Sequence, residues 1–177
     1  VSKGIIRLCP ICDAYDNADQ NIAIVSSLEC AVTHAQFLRT YFKCVSLYLY
    51  PPRDFSSTAM VELSAAHIKI PQGGFEFISV QNEKPQVRCS DGSHQEYDSV
   101  YVMLGEAASV GLIQAIGASF NREGKLLIDE HQSSSVKGLY AIGDVVSSLH
   151  QVSVATGQAA IAATHIHNSL ERNFCEQ

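Results

Sequence analysis

Cys9 and Cys12 stand two residues apart in the run Cys9-Pro10-Ile11-Cys12-Asp13. Two thiols at that spacing can close a small disulfide and reopen it. Pro10 suits the first position of a helix, because its missing N–H would have no partner there. Both sulfurs would then lie near a helix N-terminus, where the backbone dipole stabilises a thiolate. Asp13 beside them can give or take the proton that accompanies thiol–disulfide exchange. The same spacing also serves as half of a metal site or as two unremarkable thiols, and a nearby strand–helix–strand unit raises the redox reading. A zinc site built from cysteines alone asks for a second close pair, whereas Cys30, Cys44, Cys89 and Cys175 are scattered singly. No metal is therefore assigned. Cys44 and Cys89 have apolar, strand-like surroundings and read as small buried hydrophobes.

A second group follows the apolar run Ile22–Val25. A dinucleotide-binding turn there would read G-x-G-x-x-G or -A, since a pyrophosphate must approach the backbone closely. The residues are Ser26-Ser27-Leu28-Glu29-Cys30-Ala31, which keep only the last small position. Leu28 would crowd a phosphate and Glu29 would repel it. At the end of the next strand, Tyr50-Pro51-Pro52-Arg53-Asp54 offers one cation, Arg53, for a 2′-phosphate. An ordinary surface charge is the plainer reading of that arginine.

The third group is Gly138-Leu-Tyr-Ala-Ile-Gly143-Asp144, followed by His150-Gln151-Val152 and a helix that includes Gly157. A strand ending in Gly143-Asp144 places a carboxylate at the C-terminal edge of a sheet, where α/β proteins bind ligands. A helix beginning near Gln151 aims backbone N–H groups at whatever occupies that crevice.

The elements that must position these groups are legible from periodicity. Ile22–Val25 reads as a buried strand and 29–42 as a helix with Ala31, Val32, Ala35, Leu38 and Phe42 inward. Val45–Tyr50 reads as a strand ended by Pro51-Pro52. Ser56 or Ser57 caps a helix through Ala66, and Ile68–Ile70 reads as the next strand. Three strands follow at 75–80, 86–90 and 95–104, with turns at Asn82–Pro85 and Asp91-Gly92. Beyond them come a helix from Val110 to Ile116 closed by Gly117, a turn at Asn121–Gly124, strands at Leu126–Ile128 and Leu139–Ile142, and an Ala-rich helix over 152–170. That helix is expected to turn Ala155, Ala159, Ala162, Ala163 and Ile166 inward. The fold class is α/β: a Rossmann-like three-layer (ββα) nucleotide-binding-type domain with a three-stranded meander over residues 1–104, and a further part-domain over 105–177.

Composition excludes several partners. The chain has 177 residues, 46% of them hydrophobic and 17% charged, with a formal charge of −6. That balance is globular and carries no basic patch, which argues against nucleic acid and against an anionic membrane surface. No apolar run approaches the roughly 18 residues that span a bilayer, and the first residues do not lead into a signal-peptide core. A cytoplasmic location is the expectation.

Together the three groups resemble the low-molecular-weight thioredoxin reductases, FAD-dependent pyridine nucleotide–disulfide oxidoreductases. Cys9–Asp13 resembles their C-x-x-C-D redox centre, 22–50 their NADPH-domain strand–helix–strand unit, and Ser135–Asp144 with Gln151–Ala163 their C-terminal FAD segment. The resemblance implies that Cys12 faces the flavin, that Cys9 attacks the substrate disulfide, and that Asp13 donates the proton. It implies a cofactor-binding role for Gly143, Asp144, Gln151 and Val152, with Asp144 binding the ribityl chain, Gln151 and Val152 beside the flavin ring, and His150 where an arginine is usual. It further implies a thioredoxin-like protein or small dithiol as substrate, and a homodimer. Loss of glycine at Ser26, Ser27 and Leu28 and a basic cluster reduced to Arg53 speak against NADPH. Only eight residues precede Cys9, so the chain looks like the C-terminal portion of a reductase, lacking the FAD half that carries a G-x-G-x-x-G. A flavin-dependent dithiol oxidase and a flavin-free redox-sensing module are the alternatives.

Overall fold

The computed structural model describes residues 4–105, 111–146 and 149–171. The chain divides into two compact units, Val1–Glu106 and Ala107–Gln177.

The first unit runs β1 (Ile6–Arg7), α1 (Pro10–Asp13), β2 (Asn21–Ser26), α2 (Ala31–Arg39), β3 (Cys44–Leu49), α3 (Ser57–Ala65), β4 (Phe75–Gln81), β5 (Lys84–Cys89), β6 (His94–Glu96) and β7 (Ser99–Met103), with a 3-10 turn at Tyr15–Asn17. Four strands form a parallel sheet in the order β1-β7-β2-β3, and three form an antiparallel sheet in the order β4-β5-β6. The apolar run of β2 is explained by burial on both faces. Ile22 and Ile24 pack with Ala31, Ala35 and Leu38 of α2 and Leu63 of α3. Ala23 and Val25 point the other way, into a cluster with Val87 and Cys89 of the meander and Tyr97. Helices, parallel sheet and meander thus make three layers, as the sequence predicts. α3 starts where Ser56 accepts a hydrogen bond from the Ala59 N–H at 3.2 Å.

Several local expectations are corrected. α2 is shorter than the 29–42 pattern, because 27–30 turn into the helix and Thr40 and Tyr41 close it with 3-10-type hydrogen bonds to Phe37 O and Leu38 O. Ile68–Ile70 is no strand: only Lys69 bridges β3, at Ser46. The segment 95–104 is two strands in two sheets, divided at Tyr97-Asp98. The Tyr97 N–H donates to Pro85 O in the meander, and the Asp98 N–H to Asn21 O in the parallel sheet. Cys89 is buried as expected, but Cys44 is exposed at the edge where β3 begins.

The second unit holds α4 (Gly111–Ala115), a 3-10 turn at Gly143–Val145 and α5 (Val152–Ser169). Val110, the expected start of α4, lies outside the described residues, and Gly117 closes that turn with φ 81°. Leu126–Ile128 and Leu139–Ile142 are not strands. Each makes isolated bridges only, Phe120 to Leu126, Ile128 to Ser134 and Ser133 to Tyr140. A single bridge gives no continuous ladder for an extended run to extend along. On α5, Ala162 is buried, Ala155, Ala159 and Ile166 are half-buried, and Ala163 is exposed, contrary to its expected inward position.

Candidate functional site

Cys9 and Cys12 are joined in a disulfide, with Cα atoms 5.4 Å apart. Pro10 opens α1 and is buried, and Cys9 is its N-cap with extended backbone. The proline ring fixes the helical turn without leaving an unpaired N–H, and the Cys12 N–H donates back to Cys9 O at 3.1 Å. Because α1 has four residues, the support its backbone gives a thiolate is confined to one turn. Cys12 is exposed and Cys9 half-buried.

Asp13 does not hang free beside the pair. Arg7 Nη1 donates to its Oδ2 at 2.5 Å, and the Tyr101 hydroxyl donates to its Oδ1 at 2.7 Å. Arg7 Nη2 donates to Asn17 Oδ1 at 3.0 Å, and Asn17 Nδ2 returns a hydrogen bond to Asp13 O at 2.7 Å. Gln20 joins by donating to Asn17 Oδ1 at 2.9 Å while accepting from the Ser99 hydroxyl at 2.8 Å. Burial first, and then the bond to Asp13, push the Tyr101 hydroxyl well above its ordinary range. Sequence reasoning missed Arg7, Asn17, Gln20, Ser99 and Tyr101. A half-buried carboxylate needs a partner, which was a signal for a nearby cation such as Arg7. Nothing local could point to Tyr101, 88 residues away.

In the second group, Ser26 is fully buried at the end of β2. Its hydroxyl lies 2.9 Å from His34 Nδ1 and 3.2 Å from Ser27 O, to which it donates. Leu28 and Glu29 are exposed on the turn into α2. Arg53 is exposed on a cleft of about 560 Å³ that it shares with Pro52, Asp54, Phe55, Gly74 and Phe75, and that Ser26, Ser27 and Leu28 do not line.

In the second unit, Gly143 is buried at φ 73°, where a Cβ would meet Ala155 Cβ at 3.4 Å. Only glycine takes that turn against the helix without strain. Its N–H donates to Gln158 Oε1 at 2.6 Å, tying the turn to α5. Asp144 is exposed, and its backbone carbonyl accepts from Lys125 Nζ at 2.7 Å. Lys125 Nζ also lies 2.9 Å from His150 Nε2. Gln151 is the N-cap of α5, with its side chain donating to His150 O at 3.0 Å, and Val152 is the first helical residue. Among the described residues, no group of three or more His, Cys, Asp or Glu side chains could hold a metal, and no helix is long and apolar enough to cross a membrane.

Comparisons place the chain among known proteins. A family model described as pyridine nucleotide-disulphide oxidoreductase matches residues 25–159, across both units. The thioredoxin reductase of Peptoclostridium acidaminophilum is 23% identical over 193 residues, covering 98% of this chain and 59% of its own length. The thioredoxin reductase of Peptoclostridium litorale is 28% identical over 191 residues, with the same two coverages of 98% and 59%. The crystal structure of HlmI superposes with a TM-score of 0.83 at 24% identity, covering 93% of this chain and 52% of that one. The chain therefore spans less than two thirds of the relatives it matches. With the family model spanning most of its length, this chain belongs to the pyridine nucleotide-disulphide oxidoreductases, in a thioredoxin reductase-like form.

Proposed function

We propose that this chain is the disulfide-bearing portion of an FAD-dependent disulfide oxidoreductase, with residues 1–104 as a nucleotide-binding-type domain carrying the redox pair and 105–177 as part of the flavin domain. One observation carries the reading: Cys9 and Cys12 are closed into a disulfide at a proline-started turn, with a hydrogen-bonded carboxylate as the next residue.

The exchange follows from that geometry. In the reduced pair, the Cys9 thiolate attacks one sulfur of a substrate disulfide, forming a mixed disulfide and releasing the other substrate sulfur as a thiolate. Cys12 then attacks Cys9 Sγ, the Cys9–Cys12 bond forms, and the second substrate sulfur leaves. The substrate gains two electrons and two protons, and the adjacent Asp13 is the group to which we assign the transfer of a proton to or from the pair. A thioredoxin-like protein or a small dithiol fits this chemistry. A reducing cytoplasm is the matching compartment, and a homodimer the matching assembly.

For FAD, the residues present fit. Gly143 makes a turn that brings Asp144 to the surface, and the first N–H groups of α5, beginning at Val152, have no acceptor within the helix. The chemistry FAD supplies when bound is two-electron exchange with the dithiol. For NADPH the residues do not fit: the Ser26 hydroxyl is already engaged and buried, and Leu28 and Glu29 face outward where a phosphate would approach. That same loop favours a second reading, a dithiol oxidase that uses no nicotinamide and passes electrons to dioxygen.

Thiol counting on denatured protein, before and after reduction, tests the core of the proposal. A difference of two thiols mapped to Cys9 and Cys12 is expected. No difference, or stoichiometric zinc held by both sulfurs, would overturn it. Oxygen uptake driven by a dithiol without NADPH, measured on flavin-loaded protein, separates oxidase from reductase.

A further inference from the structure

A carboxylate beside a redox disulfide creates an electrostatic problem. When the disulfide opens, a thiolate forms on a residue next to Asp13 in the chain, and two like charges held near each other oppose one another. A bare aspartate would suppress the thiolate on which exchange depends. Here the Asp13 charge is met by Arg7 on Oδ2 and by the Tyr101 hydroxyl on Oδ1. Arg7 is held in turn by Asn17, and Asn17 by Gln20, which Ser99 anchors. Tyr101 has no exposed surface and sits in the core between the parallel sheet and the helices. The side chains of Arg7 and Asp13 are 15% and 31% exposed, which keeps their ion pair from full screening by water.

We propose that Arg7 and Tyr101 are positioning residues that neutralise and anchor Asp13, and so set the pH at which the Cys9–Cys12 pair reacts. The inference rests on the reading of Cys9 and Cys12 as a redox pair and adds to it. Arg7, on β1, supplies the compensating charge. Tyr101, on the neighbouring strand β7, fixes the direction of the carboxylate. Without them Asp13 would present an uncompensated charge, free to turn toward the sulfurs.

The test needs only the 177-residue chain. A dithiothreitol thiolate attacks one sulfur, the Cys9–Cys12 bond breaks, and the other sulfur leaves as a thiolate. The reagent's second thiol then displaces the first protein sulfur, so the pair gains two electrons and the reagent becomes its cyclic disulfide. With the reagent removed under nitrogen, the rate of iodoacetamide incorporation at Cys9 and Cys12 is followed by peptide mass from pH 5 to 10. The midpoint should rise by roughly half a pH unit or more in Arg7→Gln and by a smaller step in Tyr101→Phe. Arg7→Lys, which keeps the charge, should restore most of the Arg7→Gln shift. Asp13→Asn should lower the midpoint. In the Asp13→Asn background Tyr101→Phe should add nothing, because its effect runs through the carboxylate. A merely structural role for Tyr101 would change stability and leave the midpoint in place. Midpoints unmoved by Arg7→Gln and Tyr101→Phe, or a Tyr101→Phe shift that persists in Asp13→Asn, would overturn the inference and leave the redox reading standing. Absence of a reducible pair in the unsubstituted chain would overturn both.

Discussion

The Ser26 hydroxyl lies 2.9 Å from His34 Nδ1, joining the end of β2 to the first turn of α2 across the loop where a dinucleotide would need bare backbone. The pair fills the loop from inside. An incoming pyrophosphate would have to displace Leu28, tolerate Glu29 and break a buried hydrogen bond, at a combined cost of several kcal/mol. Calorimetric titration with NADPH and NADH should therefore show no binding tighter than about 1 mM. A low-micromolar constant would mean that Arg53 and the Ser27 backbone hold the phosphates.

His34 also makes stability depend on pH. Burial lowers its proton affinity below the ordinary 6.5, so over that interval the unfolded chain binds a proton that the folded chain does not. Stability is then complete above pH 6.5 and falls as the pH drops from there toward the lowered folded value. Urea midpoints between pH 8 and 5 should show this loss, and His34→Gln should flatten it. An equal slope in the variant would assign the acid sensitivity elsewhere.

The strand–helix–strand unit around these residues was legible because each part carries its own period. The apolar run of β2 and the inward Ala31, Ala35 and Leu38 of α2 need no distant information. Ile68–Ile70, Leu126–Ile128 and Leu139–Ile142 look equally strand-like in sequence. Whether an extended run becomes a strand depends on a neighbour to pair with, and here each finds single bridges. The break at Tyr97-Asp98 is likewise tertiary: the Asn21 N–H donates to Asp98 Oδ2 at 2.9 Å, from 77 residues away. The redox pair and Asp13 were visible as a motif, while their supports were invisible because β1 and β7 meet only in the sheet. Cys44 misled because an apolar context describes the strand, not its first residue at the edge.

Between parallel sheet and meander, the Tyr48 and Tyr97 hydroxyls lie 2.8 Å apart, and Tyr97 donates to Gln95 Oε1 at 2.8 Å. Tyr48 must therefore be the donor to Tyr97. Tyr97→Phe strands a buried donor, while Tyr48→Phe leaves Tyr97 still bonded to Gln95. An orphaned buried hydroxyl costs about 1–3 kcal/mol, so Tyr97→Phe should be the more destabilising change by urea unfolding. Equal losses would show that the chain of donors does not run in this order.

The flavin reading can be tested at a single N–H. Val152 is the first residue of α5, and the residue is 81% exposed. If Val152 contributes to flavin binding, it does so through its backbone. Proline is tolerated at the first helical position and removes only that N–H. In flavin-loaded protein containing this chain, Val152→Pro should therefore lower FAD retention and leave helix content by circular dichroism unchanged, while Val152→Ala should alter neither. Asp144→Ala should also weaken retention, by about 1.5–3 kcal/mol if its carboxylate meets a ribityl hydroxyl. The 177 residues contain no G-x-G, so these contacts come without a glycine loop for the pyrophosphate. A few polar contacts alone rarely overcome the entropy of association, and the polypeptide of these residues by itself should be colourless after incubation with FAD and desalting. Stoichiometric yellow protein from it, or full retention in Val152→Pro together with Asp144→Ala, would remove this face of the second unit as the flavin site.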